Sequence, residues 1–426
     1  MARIAIGTGR HLLFFLVAAT AVILVILFYI VYTSTNVRYS DSSLEKGYIL
    51  ALKYSDQLTG GALNMLSLMC LATEFGEVRV VEPFLVNSDF GLNASMKWTK
   101  QIKFRDVYDI SVLTRFASGK HYNHLVPYQT FIKNAPSKVV LVQYHHPCGS
   151  EKVWNTARAF CRSNGFELIG VLCLTYGEEE AFTVDTLRKQ IYSQYHPAEV
   201  VVLFDLYGGI VDELSSATKG YRLSVSDTQC GRNAFADKHY VIQPSRSVFS
   251  DANAYIQKYL NTSASPSYIS VMIRLERILQ QLHSPDPTLS ATNCLNNILA
   301  KLRDIRYRTG IKNIFVSIDV GVYGSRGLHT SKKRHALLPP VKDFFSALYS
   351  SKVSLQEWES TFSSVGLGRT KSSGYIAMMQ KVIAVKGNIL VLVGSNSGST
   401  FQTTSKYLYH RINRQGQLIE LDSNRS

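Results

Sequence analysis

The sequence predicts an α/β protein with two parallel-sheet halves, preceded by one N-terminal transmembrane helix. Three observations predict this class. An uncharged apolar run occupies residues 12–32, and further along the chain strand-length apolar segments alternate with helical segments. The strand segments are also apolar on consecutive residues, as in the almost purely apolar segment at residues 199–206. Such continuous runs are typical of parallel strands that are buried on both faces.

Composition limits the kind of ligand. The chain has 426 residues, enough for two or three domains, and a formal net charge of +15. A positive excess suits an anionic membrane surface, a phosphorylated ligand or nucleic acid. The densest basic set lies between Lys301 and Lys312 and has the spacing of a solvated helix face. We therefore predict no nucleic-acid partner.

The N-terminal region predicts a membrane anchor and a stem. Residues 1–11 form a short basic tail that we place in the cytosol, and residues 12–32 are long enough to span a bilayer. A cleaved signal peptide is the alternative, but the apolar run is too long and no clear cleavage site follows. Residues 33–46 form the stem. The remaining chain is then lumenal, in a single-pass type II protein of the Golgi or endoplasmic reticulum.

The residues after the anchor fit a lumenal compartment. Asn93 and Asn261 each begin a triplet of the N-glycosylation pattern. All six cysteines follow the apolar run, and six cysteines allow 15 pairings, among which the sequence does not choose. A buried free thiol is one interpretation of Cys70, because it lies in an apolar helix. No cysteine and histidine spacing predicts a zinc site.

The first half, residues 47–255, predicts repeated strand–helix units. A loop over residues 55–61 separates the first strand from the first helix and contains Gly60 and Gly61. Units of this kind build parallel sheets with right-handed crossovers. The predicted strands are 48–54, 78–81, 138–144, 166–174 and 199–206, and the predicted helices are 63–75, 152–164, 183–195 and 250–260, the last with Ser250 as its N-cap.

The second half, residues 256–426, restarts the alternation after a Ser- and Pro-containing segment at residues 263–266. Ligands of open α/β sheets bind outside the carboxyl ends of the strands. A cleft between two such halves is therefore the expected site. The predicted strands are 268–273, 313–318 and 389–393, and the predicted helices are 289–303, 375–385 and 401–411.

Polar residues follow the strands of the second half. Arg274 follows the first strand, and its guanidinium can bind a diphosphate through two hydrogen bonds. Asp319 follows the next strand, and its carboxylate can accept hydrogen bonds from guanine. A small-residue loop that leads into a helix at Ser399–Phe401 can hold a phosphate. Each has a structural alternative: an ion pair of Arg274 with Glu276, a turn at Asp319, and an ordinary helix cap.

Four segments resemble signatures of the GDP-fucose O-fucosyltransferase superfamily, which includes protein O-fucosyltransferases and α1,6-fucosyltransferases. The resemblance spans residues 47–411 in order and spacing. The segments are Gly47–Ile49 with Gly60–Asn64 and the VVEP strand end at Val80–Pro83, the strand SYISVMIR at Ser267–Arg274, the segment FVSIDVG at Phe315–Gly321, and Tyr375–Phe401.

The resemblance implies a GT-B fold, in which two Rossmann-like domains face each other across a cleft. It implies an inverting transfer of fucose from GDP-fucose to a hydroxyl of a glycan or a protein, without a metal or another cofactor. The C-terminal half would hold the donor. Arg274 would contact the β-phosphate and the glycosidic oxygen, Asp319 the guanine, and Ser399, Thr400 and Phe401 the phosphates, with Gly61 and Asn64 opposite, near the diphosphate.

One departure from the family pattern bears on turnover. The family has a histidine two residues before its essential arginine, and this chain has Met272 there. Loss of a donor or base at that position leaves two alternatives: a degenerate GT-B protein that binds a glycan or nucleotide without turnover, and a transferase of another nucleotide sugar. Asp205 and Glu178–Glu180 are candidate bases for the acceptor, with a strand-end turn and a solvated loop as the structural alternatives.

Overall fold

A computed structural model describes most of the chain between residues 47 and 421. Residues Lys46–Ser426 form one compact unit. The predicted tail, anchor and stem lie outside the described residues and stay predictions; no described helix is long and apolar enough to cross a membrane. The described residues are 47–54, 57–75, 78–86, 89–92, 102–112, 125–143, 149–173, 184–205, 243–260, 267–275, 286–318, 331–349, 373–394, 405, 408–409 and 416–421.

The first half contains a six-stranded, all-parallel sheet with the order β6-β2-β1-β9-β7-β8. A small antiparallel sheet, β4-β3-β5, accompanies it. In chain order the elements are β1 (Gly47–Ala51), α1 (Gln57–Glu74), β2 (Val78–Val81), β3 (Phe84–Val86), β4 (Asp89–Gly91), β5 (Ile102–Lys103), α2 (Phe104–Val107), β6 (Leu125–Val126), α3 (Tyr128–Asn134), β7 (Lys138–Gln143), α4 (Glu151–Asn164), β8 (Glu167–Cys173), α5 (Val184–Tyr192), β9 (Val200–Phe204) and α6 (Arg246–Tyr255).

The second half contains a four-stranded, all-parallel sheet with the order β11-β10-β12-β13. The predicted α/β class with parallel sheets is confirmed. The predicted division at residue 255 stays a prediction; α6 ends at Tyr255 and continues as a π-helical turn at Ile256–Leu260. The further elements are β10 (Tyr268–Ile273), α7 (Pro287–Thr309), β11 (Asn313–Ile318), α8 (Ser331–Tyr349), α9 (Ser373–Val385), β12 (Ile389–Val393) and β13 (Gln417–Leu421).

Two predictions about helix starts are wrong. The loop predicted at residues 55–61 is helical from Gln57 onward, so both glycines lie inside α1. Burial explains this: the helix is apolar on most faces, and packing outweighs a cost of about 1 kcal/mol for each glycine. α6 begins at Arg246 rather than after Ser250, because the Ser245 hydroxyl caps it by accepting the Val248 N–H at 3.3 Å.

Helix α9 joins the two halves. It is buried along almost its whole length and belongs to one apolar core cluster that includes residues of both sheets. On one side, the Tyr268 hydroxyl of β10 donates to the carbonyl oxygen of Ile383 at 2.6 Å. On the other side, the Tyr375 hydroxyl donates to Asp251 Oδ2 of α6 at 2.8 Å. The position of the second sheet against the first half is therefore fixed through α9 and α6.

Candidate functional site

The carboxyl edge of the second sheet holds the main candidate site. Ile273 of β10 pairs with Ile318 of β11 and with Val393 of β12, so the three strands end at one level. Arg274 follows directly, half-buried, and its backbone N–H donates to the carbonyl oxygen of Val393 at 3.3 Å. The predicted convergence of these strand ends is thus confirmed, with Arg274 on the central strand of the three.

Several predicted site residues lie outside the described part of the chain. The strands that precede them are described: β11 ends immediately before Asp319, and β12 ends immediately before the small-residue loop. The functions predicted for these residues therefore stay predictions. They are Asp319, Ser399, Thr400 and Phe401 for the nucleotide sugar, and Asn93 and Asn261 for glycosylation.

Asn64 and Gly61 both lie inside helix α1, whereas the sequence predicted Gly61 in a loop and Asn64 near the start of a helix. Asn64 is two turns into the helix and only 3 % exposed, and Gly61 is buried. A role for either residue opposite the diphosphate stays a prediction. The predicted loop at residues 55–61 does not hold either residue, because the helix begins at Gln57, upstream of both.

Met272 belongs to the apolar core. It pairs with Ser317 of β11 and Leu392 of β12 and is 2 % exposed in the cluster that α9 shares with both halves. A thioether in this layer neither donates nor accepts a proton. Met272 therefore cannot act as a general base.

Lys381 is a buried titratable group that the sequence analysis missed. It lies in α9, is 3 % exposed, and its burial lowers its pKa to about 7. The neighbouring Gln380 accepts a hydrogen bond from the Ser317 hydroxyl at 3.3 Å. The pair Gln380-Lys381 interrupts the otherwise apolar sequence GYIAMMQKVIAV, and that interruption could have indicated buried polar groups.

The carboxyl edge of the first sheet carries polar side chains at three strand ends. Glu82 follows β2 and accepts hydrogen bonds from Arg105 Nε at 2.9 and 2.8 Å, which is a structural ion pair. Gln143 ends β7 and is 1 % exposed, and Asp205 follows β9 and is 7 % exposed. Asp205 was predicted as a candidate base, whereas Gln143 was missed; Glu178–Glu180 lie outside the described residues.

The described residues do not form a metal centre. Within the described ranges, no group of three or more His, Cys, Asp or Glu side chains could hold a metal ion. Metal independence stays a prediction, since it concerns the reaction and not this arrangement.

Comparisons with known proteins define the fold further. The sequence matches no protein-family model and no curated protein. The crystal structure of POFUT1 in complex with GDP-fucose matches with a TM-score of 0.50 at 14 % identity, covering 90 % of this chain and 99 % of that chain. POFUT1 in complex with GDP matches with a TM-score of 0.48 at 12 % identity, covering 88 % and 99 %. The chain therefore has a mixed α/β fold with parallel sheets, similar to that of POFUT1.

Proposed function

We propose that this protein is a membrane-anchored glycosyltransferase that transfers fucose from GDP-fucose to a hydroxyl of a glycan or protein. One observation carries the proposal: a half-buried arginine, Arg274, stands at the carboxyl edge of the second sheet where three strands end together. The similarity of the fold to POFUT1, crystallised with GDP-fucose, supports the choice of donor.

In the proposed reaction Arg274 binds the diphosphate of the donor. Its planar guanidinium can donate two hydrogen bonds to phosphate oxygens. Negative charge develops on the diphosphate as the glycosidic bond breaks, and a fixed cation lowers the energy of that transition state. Asp319 would bind the guanine, Ser399, Thr400 and Phe401 the phosphates, and Gly61 and Asn64 would lie on the facing half.

The acceptor hydroxyl attacks the anomeric carbon from the face opposite the diphosphate, which inverts the configuration. In this proposal the step needs no metal, because the guanidinium of Arg274 would supply the positive charge. The acceptor must lose a proton. Since Met272 cannot take it, we assign this role to a carboxylate of the first half, with Asp205 as the described candidate.

The proposed compartment is the lumen of the Golgi or endoplasmic reticulum, with residues 12–32 as the anchor. Two described cysteines support it: Cys70 in α1 and Cys173 at the end of β8 are both disulfide-bonded. Disulfides persist in oxidising compartments such as the secretory route. The free-thiol interpretation of Cys70 is therefore wrong.

The donor is tested by thermal melting of the full-length protein in detergent with GDP, GDP-fucose, UDP or CMP. A ligand at 100 times its Kd adds about 2.7 kcal/mol to the free energy of unfolding. We expect GDP and GDP-fucose to raise the melting temperature by roughly a few degrees. A shift with UDP or CMP alone would indicate another nucleotide sugar, and no shift with any nucleotide would overturn the proposal.

A degenerate, binding-only protein is the second candidate, and the apolar position of Met272 favours it. The two candidates differ in turnover. Faster release of GDP from GDP-fucose with a mixture of glycans and glycoproteins than without it would establish transfer. Stabilisation by GDP together with no release of GDP above the rate in water would establish the binding-only protein instead.

A further inference from the structure

Gln143 presents a buried amide nitrogen at the carboxyl edge of the first sheet. Its Oε1 accepts the backbone N–H of Gly149 at 3.1 Å, and this holds the amide against the start of α4. Its Nε2 is buried and has no hydrogen-bond partner among the residues that the structure describes. A buried donor left unpaired costs about 1–3 kcal/mol. Ligands of parallel sheets bind at the strand ends. An unpaired donor at such a position therefore indicates that the Gln143 amide nitrogen binds a ligand.

Asp205 lies beside Gln143. The pairing of β7 with β9 ends at Val142 and Phe204, and the Asp205 N–H donates to the carbonyl oxygen of Val142 at 3.1 Å. Residues that follow a paired position on adjacent parallel strands share one face of the sheet. An amide donor and a carboxylate acceptor are thus neighbours at this edge. Together they match a hydroxyl group, which both donates and accepts.

The start of α4 adds further hydrogen-bond donors and also carries an acidic residue. Its N-cap residue, Ser150, makes no side-chain capping bond, although the first-turn N–H groups lack partners within the helix. A phosphate or sulfate would be repelled here by Asp205 and by Glu151, the acidic residue of the first turn. The edge therefore favours a neutral ligand with several hydroxyls.

Trp154 supplies an aromatic surface at the same end of α4. It is half-buried in the first turn, and its backbone N–H donates to the Ser150 carbonyl oxygen at 3.1 Å. Helical side chains lean toward the N-terminus, which directs the indole toward the turn that carries Ser150. The guanidinium of Arg158 lies 4.7 Å from the centre of its ring. Indole rings pack against the C–H face of sugar rings while nearby polar groups bind the hydroxyls.

We propose that Gln143, Asp205 and Trp154 form a subsite that binds a neutral glycan, the acceptor of the transfer. The assignment rests on the proposed function, and it narrows the acceptor from any hydroxyl to a carbohydrate. A serine or threonine hydroxyl would satisfy the amide and the carboxylate but would place no ring against the indole. A sugar presents several hydroxyls and an apolar face to the amide, the carboxylate and the indole together.

The subsite is tested by binding of the full-length protein, in a detergent without a sugar head group, to an array of neutral, sialylated and sulfated oligosaccharides. We expect neutral oligosaccharides to bind. Trp154→Ala and Gln143→Glu should each weaken that binding at least about tenfold. Gln143→Glu keeps the oxygen that accepts the Gly149 N–H and replaces only the unpaired nitrogen. Arg162→Ala, an exposed change at the other end of α4, is the matched control and should bind as the wild type.

Two further readouts keep the result interpretable. Trp154 is half-exposed, so its alanine variant should melt near the wild-type temperature even if Gln143→Glu folds poorly. GDP binding should be unchanged in every variant. If the wild type does not bind GDP, the result contradicts the donor site but not the glycan subsite. Binding only to sialylated or sulfated glycans, or neutral binding that Trp154→Ala leaves unchanged, would overturn the subsite.

Discussion

Glu82 and Arg105 connect the end of β2 to the start of α2. The Glu82 side chain is 3 % exposed and the Arg105 side chain 33 %. Besides the two guanidinium contacts, the backbone N–H of Arg105 donates to Glu82 Oε1 at 2.9 Å. The carboxylate is therefore satisfied by a single residue. Glu82 of the VVEP segment therefore has a structural role, which the sequence motif alone did not indicate.

Removal of the arginine should destabilise the fold strongly. Arg105→Met leaves the Glu82 carboxylate buried without its cation, and breaking a buried pair in this way costs about 3–5 kcal/mol. The exposed pair of Arg308 with Asp304 is the control, and Arg308→Met should change the free energy of unfolding by less than about 0.5 kcal/mol. Urea denaturation measures both. Equal effects of the two variants would show that the Glu82 pair is not structural.

Lys381 gives stability a dependence on pH. Burial lowers its pKa to about 7 in the folded protein, whereas an unfolded lysine has a pKa of about 10.4. Between these values the unfolded chain carries a proton that the folded protein lacks. The free energy of unfolding therefore rises with pH in this window, by up to about 1.4 kcal/mol per pH unit. Below pH 7 both states are protonated, and the full cost of burying the charge is present.

Lys381→Met should remove this dependence. The difference in unfolding free energy, wild type minus variant, should increase by about 2–3 kcal/mol between pH 7 and pH 9. At pH 6 the variant should be the more stable protein. Lys301→Met, at an exposed position of α7, should give a difference that is flat with pH. A flat difference for Lys381→Met as well would mean that its amine is not buried in the folded state.

At the level of the elements, the turn between α9 and β12 packs closely against β10 at Gly387. A Cβ at this position would lie 2.5 Å from Ser270 Oγ and 3.0 Å from Ser270 Cβ. Ser270 is fully buried, and its hydroxyl donates to the carbonyl oxygens of Ala384 and Ile389. The serine therefore has no room to move, and the close approach requires glycine.

Gly387→Ala should lower the free energy of unfolding by about 1–3 kcal/mol, the usual cost of overpacking. Gly170→Ala is the matched control, because a Cβ there would meet only Tyr195 Oη at an ordinary 3.6 Å. Its effect should be less than about 0.5 kcal/mol. The midpoints of urea denaturation compare the two. An alanine at 387 that is tolerated as well as one at 170 would contradict the packing described here.

The sequence predicted some elements well and others not at all, for physical reasons. The bounds of β10, β11 and β12 were predicted correctly, because runs such as Ile389–Val393 are apolar throughout and bounded by polar residues or glycine. β6 was missed because a strand of two residues is too short to show a periodic hydrophobic pattern. α8 was missed because Pro339 and Pro340 normally end a helix, yet here they lie inside one.

At the candidate site, the sequence correctly placed Arg274 at the end of a strand but misplaced the start of the helix that contains Asn64. Arg274 follows a strand whose end is defined by its apolar run, so its level in the sheet could be inferred. Asn64 depends on where α1 begins, and two glycines favoured a loop that tertiary packing converts to helix. The proximity of Gln143 to Asp205 depends on strand order, which follows from no local pattern.

Across the whole molecule, the described cysteines fall into two oxidation states. Cys70 and Cys173 are disulfide-bonded, whereas Cys161 and Cys294 are free thiols. Burial raises the pKa of both free thiols, that of Cys161 to about 11, and this disfavours the reactive thiolate form in the folded protein. The sequence alone left 15 pairings open, because pairing depends on the fold.

Alkylation should therefore proceed in two steps. Iodoacetamide should label Cys161 and Cys294 in the denatured, unreduced protein, and should label Cys70 and Cys173 only after reduction. Peptide mass spectrometry locates the labels. Reduction should also lower the melting temperature, since removal of a native disulfide typically costs about 2–5 kcal/mol. Labelling of Cys70 before reduction would contradict both the disulfide and the oxidising compartment that we infer from it.

The most direct test of the proposed donor site is the affinity for GDP, measured by titration calorimetry on the full-length protein in detergent. Wild type should bind GDP in preference to UDP, and Arg274→Ala should bind it at least about tenfold more weakly, because a hydrogen bond to a charged group is worth about 1.5–3 kcal/mol. Arg303→Ala, an exposed arginine of α7, should retain wild-type affinity. No binding of GDP to the wild type, or equal affinity with and without Arg274, would contradict the proposed donor site.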